Sequence, residues 1–113
     1  MIKVGNLVGG IWQTNPKAKT FQTFNPKTKK SISNEFEEAS EEQIDQAVEK
    51  ASSVFEFFSE TSFSERIKFL KAIQKELNLK KDEILNIYQL ESAFPNARAE
   101  GEFQRTLGQI QEF

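Results

Sequence analysis

Glu91-Ser92-Ala93-Phe94-Pro95-Asn96-Ala97-Arg98-Ala99-Glu100-Gly101-Glu102-Phe103-Gln104-Arg105-Thr106-Leu107-Gly108-Gln109-Ile110-Gln111-Glu112-Phe113 reads as the end of one helix, a turn at Phe94-Pro95-Asn96, and a second helix. In that second helix Ala99, Phe103, Leu107 (or Thr106), Ile110 and Phe113 recur at three- and four-residue intervals, the spacing of one buried face. Asn96 is the expected cap, and Pro95 the reason the preceding helix stops. The stripe is still running at Phe113, so the expectation is a helix that continues into, or packs on, something further.

Working back from there, Ile84, Leu85, Ile87, Tyr88 and Leu90 make a helix from Lys80 or Lys81 to Ser92 that is apolar around more than half its circumference. It is expected to be the most buried of the helices. Before it, Ser62-Phe63-Ser64-Glu65 is a capping box, and Ile67, Leu70, Ile73 and Leu77 carry that helix to a stop at Asn78. Ser40-Glu41-Glu42-Gln43 opens the first helix in the same way. Ile44, Ala47, Val48, Ala51, Val54, Phe55 and Phe58 then give it a continuous apolar face, predicting a helix from Glu41 to Phe58.

Upstream of Ser40 the period falls from 3.6 to two. Leu7 to Trp12, broken by Gly9-Gly10, Thr20 to Phe24 and Ser31 to Phe36 read as short strands, with turns at Asn15-Pro16 and Asn25-Pro26. The fold class expected is α+β, with short N-terminal β-strands followed by four α-helices. Residues 1–36 form the strand and turn segment and residues 37–113 the helical segment. A sheet of this kind needs another surface to lie on.

Composition excludes a good deal of chemistry. The 113 residues contain no Cys and no His, which removes disulfides, thiolate nucleophiles, imidazole bases and the usual transition-metal ligands. No metal site is expected. Eleven Phe residues argue for a folded chain, because they offer large side chains for burial.

The net charge of −2 gives no general attraction to nucleic acid or anionic membrane. Lys17, Lys19, Lys27, Lys29 and Lys30, interleaved with Trp12, Phe21 and Phe24, could hold phosphate and stack bases. Edge strands carry Lys for another reason, to block aggregation, and neither nucleic acid nor membrane is expected as a partner. The N-terminus lacks the apolar core of a signal peptide and no apolar run is long enough to span a bilayer, so the expected location is the cytoplasm.

Glu37, Glu38, Glu41, Glu42, Asp45 and Glu49 gather near the first helix start, where they favour the helix dipole and form a solvated face rather than a catalytic pair. Three Arg remain, at 66, 98 and 105. Arg98 and Arg105 lie seven apart with Glu102 between them, an arrangement that reads first as surface ion pairing on one helix face.

The segments Gly9-Gly10-Ile11-Trp12, Thr20 to Thr28, Ala39 to Val48, Ser64 to Ile73 and Glu91 to Arg98 together resemble the N-terminal portion of an aldehyde dehydrogenase. The run Glu91 to Arg98, followed by Gly101-Glu102-Phe103-Gln104-Arg105-Thr106, resembles most the α-ketoglutaric semialdehyde (2,5-dioxovalerate) dehydrogenases. Here Ala93-Phe94 stand in place of that group's Gly-Leu, and Phe103-Gln104 in place of its Arg-Gly.

The resemblance implies an N-terminal fragment of an NAD(P)-dependent enzyme, part of its α/β coenzyme-binding domain, that oxidises an aldehyde to the carboxylic acid. Family members are much longer. Their nucleophilic Cys, general-base Glu and oxyanion-stabilising Asn have no counterparts here, so the chain alone is expected to be inactive and to bind no coenzyme. NAD or NADP, the aldehyde, the remainder of the enzyme and a homo-oligomeric assembly all belong to the full-length parent. Arg105 is the residue expected to meet the substrate, as the partner of a second carboxylate. The competing expectation is a stand-alone helical protein-interaction module that uses its Phe-rich face.

Overall fold

The computed structural model describes residues 3–112 and carries five strands and four helices in chain order. The strands are β1 (Lys3–Val4), β2 (Asn6–Val8), β3 (Ile11–Gln13), β4 (Thr20–Asn25) and β5 (Lys30–Glu37), and the helices α1 (Glu41–Ser59), α2 (Phe63–Leu79), α3 (Lys81–Ser92) and α4 (Asn96–Glu112). This is the α+β order expected from the change of period. The chain divides into two compact units, the first holding residues up to Thr23 together with Ser31–Glu60, the second Phe24–Lys30 and everything from Thr61.

In the first unit, β2 and β3 form an antiparallel hairpin with Val8 opposite Ile11 and Leu7 opposite Trp12. Its two turn residues, Gly9 and Gly10, both take positive φ (58° and 82°), the backbone that suits the twist of a two-residue hairpin and that only glycine adopts without cost. β5 lies between β1 and β4, and β1 runs parallel to it with Val4 opposite Phe36. The ring of Phe36 stacks on Phe21 with centroids 5.6 Å apart.

Helix α1 starts on the predicted box: the Gln43 N–H donates to the Ser40 hydroxyl (3.2 Å) and the Ser40 N–H to the Gln43 side-chain oxygen (3.0 Å). Gln43 is buried. Its amide also donates to Gln13 Oε1 (3.4 Å), and Gln13 donates to Gln46 Oε1 (3.3 Å), which ties the helix to the hairpin.

Glu37 departs from the solvated face expected for it. It ends β5, is 4% exposed, and its Oε2 accepts from the Asn15 N–H at 2.7 Å. The Asn15 side chain in turn accepts from the Lys17 N–H (3.0 Å), so a buried carboxylate fixes the Asn15-Pro16 turn that sequence alone located.

In the second unit, Leu85, Ala99, Phe103 and Leu107 form the buried cluster, with Leu77, Ile84 and Tyr88 packed against it. α4 supplies three of the four buried residues, and it packs on both α2 and α3. It is therefore α4, not α3 as expected, that is the best buried. α3 meets α4 along one side, and Ile87 and Leu90 on its other side stay 45% and 40% exposed. Of the two alternatives at the third position of the stripe, Leu107 is buried and Thr106 exposed, while Ile110 is half-buried. Phe113 lies outside the described residues.

Two helix ends also differ from expectation. α2 runs through Asn78 to Leu79, because Asn78 turns its amide back onto the Gln74 carbonyl (3.0 Å) and so stays within the helix. At the start of α4 the Pro95 carbonyl accepts from both the Arg98 and Ala99 N–H groups (3.0 and 3.1 Å), which makes Asn96 the first helical residue and moves the cap back by one. Ala93, at φ 56°, closes α3 in the left-handed conformation.

Candidate functional site

The side of α4 opposite its buried Ala99–Phe103–Leu107 stripe carries the residues that the sequence marked. Glu102 lies one turn from each arginine, and the helix period brings all three together: Arg98 Nε is 3.3 Å from Glu102 Oε1, and Arg105 Nη1 is 3.5 Å from Glu102 Oε2. The surface pairing expected from spacing is what the structure shows. Arg98 is further held by the Phe94 ring, 5.0 Å below its guanidinium, so the turn before α4 and its first helical turn share one contact. Lys81, at the start of α3, reaches Glu100 (2.9 Å) and lies over the Phe103 ring at 5.9 Å.

Beneath this charged edge, a cleft of about 300 Å³ is lined by Leu77, Ile84, Tyr88 and Phe103, with Glu102 and Thr106 at its polar margin. Glu102 thus joins the cleft to the arginines, a role that spacing did not reveal because it depends on where α3 lies. Arg105 is not among the cleft residues. Its side chain is 69% exposed, on the solvent side of Glu102.

The chemistry available here is binding, by a planar cation beside an apolar cleft. With neither Cys nor His in the chain, a thiolate or imidazole has to come from elsewhere. Among the described residues no group of three or more carboxylates is placed to hold a metal ion. The Glu65 carboxyl is held below the ordinary glutamate range by the Ser62 N–H and then by the Ser62 hydroxyl, which marks a helix cap rather than an acid–base group. The lysine-rich turn between β4 and β5 folds on itself, with Asn25 Oδ1 accepting from the Lys27 and Thr28 N–H groups (2.9 and 3.2 Å).

Comparison with known proteins gives this arrangement its context. The profile described as the aldehyde dehydrogenase family matches residues 12–113. Among solved structures, the chain is similar to aldehyde dehydrogenase 21 from Physcomitrella patens in complex with the reaction product succinate, with a TM-score of 0.85 and 23% identity over 97% of this chain and 22% of that one. It is also similar to an aldehyde dehydrogenase from Bartonella henselae, with a TM-score of 0.80 and 17% identity over 100% of this chain and 25% of that one. The chain therefore spans about a quarter of the length of the solved enzymes it resembles.

Proposed function

We propose, from the premise that this chain belongs to the aldehyde dehydrogenase family, that it forms the N-terminal part of an NAD(P)-dependent enzyme oxidising a carboxylate-bearing semialdehyde to the dicarboxylic acid. The observation that carries the reading is the family match over residues 12–113, a span that includes both capping boxes, the three-helix unit and the Glu91 to Arg98 turn. Residues 1–36 supply strands and residues 37–113 the helices of a coenzyme-binding domain. The active thiolate, the coenzyme NAD or NADP and the subunit contacts of a cytoplasmic homo-oligomer belong to the whole enzyme.

Within that enzyme, α-ketoglutaric semialdehyde fits the sequence of the Glu91 to Arg105 region. Arg105 supports the choice chemically, since a guanidinium grips a second carboxylate with two parallel hydrogen bonds that an uncharged aldehyde cannot offer. The succinate held by the moss neighbour, also a dicarboxylate, is in keeping with this class.

Joining the chain in one reading frame to the residues that complete a family enzyme should give aldehyde-dependent reduction of NAD or NADP. The chain alone should give none. In the joined enzyme Arg105→Ala should raise KM for the acidic semialdehyde with little change in KM for an uncharged aldehyde of the same length, the pattern of a lost binding contact. Equal KM values for the acidic substrate before and after the substitution would remove Arg105 from the site.

A further inference from the structure

Helix α1 turns polar residues toward its own unit and apolar residues toward solvent. Gln43 is buried against Gln13, Gln46 joins the same chain of amides, and the Lys50 stem covers Gly9, where an added Cβ would come within 3.1 Å of Lys50 Cγ. Ile44, Val48, Ala51 and Phe55 recur at intervals of four, three and four, the repeat of a seam that takes a second helix by interdigitation. Ile44, Val48 and Phe55 are 53%, 64% and 69% exposed.

The two edges of that seam differ. At about 100° per residue, Gln43, Ala47 and Lys50 fall on one edge, beside the hairpin, while Glu41, Asp45, Glu49 and Glu56 fall on the other. Lys50 is the only cation in α1 and it sits on the far edge, with no basic residue in the last turn. A helix laid on the seam therefore meets the hairpin on one side and a row of carboxylates on the other. A second copy of α1 would bring the same acidic excess, with Lys50 as its single counter-charge.

We propose that the Ile44–Val48–Ala51–Phe55 seam of α1 docks a basic amphipathic helix supplied by the remainder of the full-length polypeptide, its Lys or Arg row lying along Glu41, Asp45, Glu49 and Glu56. The proposal rests on the reading of this chain as part of a longer enzyme. It adds the covering element and its charge.

The test titrates the 113-residue chain with two synthetic helical peptides that share one apolar seam and carry either Lys or Glu along its edges, with binding followed by fluorescence anisotropy. The Lys-edged peptide should bind about tenfold more tightly than the Glu-edged one, as expected for three or four edge ion pairs, and added salt should narrow the gap. Asp45→Lys/Glu49→Lys/Glu56→Lys should reverse the preference at unchanged helical circular dichroism, and Phe55→Glu should abolish binding of both. Equal affinities, or no binding by a chain of intact helix content, would overturn the proposal. So would a dimer in sedimentation that Phe55→Glu dissolves, since a second copy would then be the occupant. Failure of the joined enzyme to oxidise aldehydes would remove the parent reading and leave the peptide preference standing, so the two failures are distinguishable.

Discussion

Gly5 and Glu65 show how far single residues constrain this chain. A Cβ built on Gly5 falls inside contact distance of the Gln13 carbonyl oxygen, and 3.0 Å from Thr14 Cγ2. The first obstacle is backbone, which cannot swing aside as a lysine tip can. Gly5→Ala should destabilise the hairpin unit by about 1–3 kcal/mol, read as a lower unfolding midpoint with α2 to α4 unaffected in local hydrogen exchange. Glu65 makes a different demand. Its pKa is lowered in the folded state, so its contribution is fully present above the ordinary glutamate value and is lost as pH falls through the lowered folded value. Thermal midpoints measured down through the acid range should fall more steeply for the native chain than for Glu65→Gln, which keeps the acceptor oxygen but not the charge. Parallel curves would mean that the hydrogen bond the Glu65 carboxylate accepts from the Ser62 N–H, at 2.7 Å, carries no charge-dependent part.

At the scale of elements, legibility follows the range of the interaction. Both capping boxes were readable because donor and acceptor lie three residues apart, and both helices start where those boxes place them. The Asn78 stop failed for a related reason. An Asn competes equally well for a helix end and for the carbonyl four residues back, and nothing in the local sequence says which it takes. β1 escaped notice because a two-residue strand carries no period, and its pairing with β5 joins residues more than thirty apart. Glu37 was misplaced among surface acids because its partner, the Asn15 N–H, comes from a distant turn. In α4 the ranking of burial depended on having neighbours on two sides, which periodicity cannot count. That ranking predicts an asymmetry within one helix. Phe103→Ala removes a ring that is 7% exposed and should cost about 3–5 kcal/mol. Arg105→Ala, two residues on, trims one exposed ion pair and should stay within about 0.5 kcal/mol of the native chain. Chemical denaturation of both variants checks the contrast, and similar losses would mean that the charged edge of α4 supports the fold.

For the molecule as a whole, the amount of apolar surface in water sets the expectation. Large apolar side chains lie in water in both units: Trp12, Phe24, Phe55, Phe57 and Phe63 are each at least 60% exposed. Apolar side chains of this size are ordinarily covered by another surface, and a family enzyme some four times longer has surface enough to do so. The isolated chain should therefore bind a hydrophobic dye strongly while keeping its helical circular dichroism. That combination differs from a loosened, acid-like state, because here the buried cluster of α2, α3 and α4 stays packed while the dye binds. Val48→Lys/Phe55→Lys should weaken dye binding at constant helicity, and the joined enzyme should lose most of it. Weak dye binding by the well-folded chain would mean that its Phe side chains are already covered, and a self-contained interaction module would then be the better account.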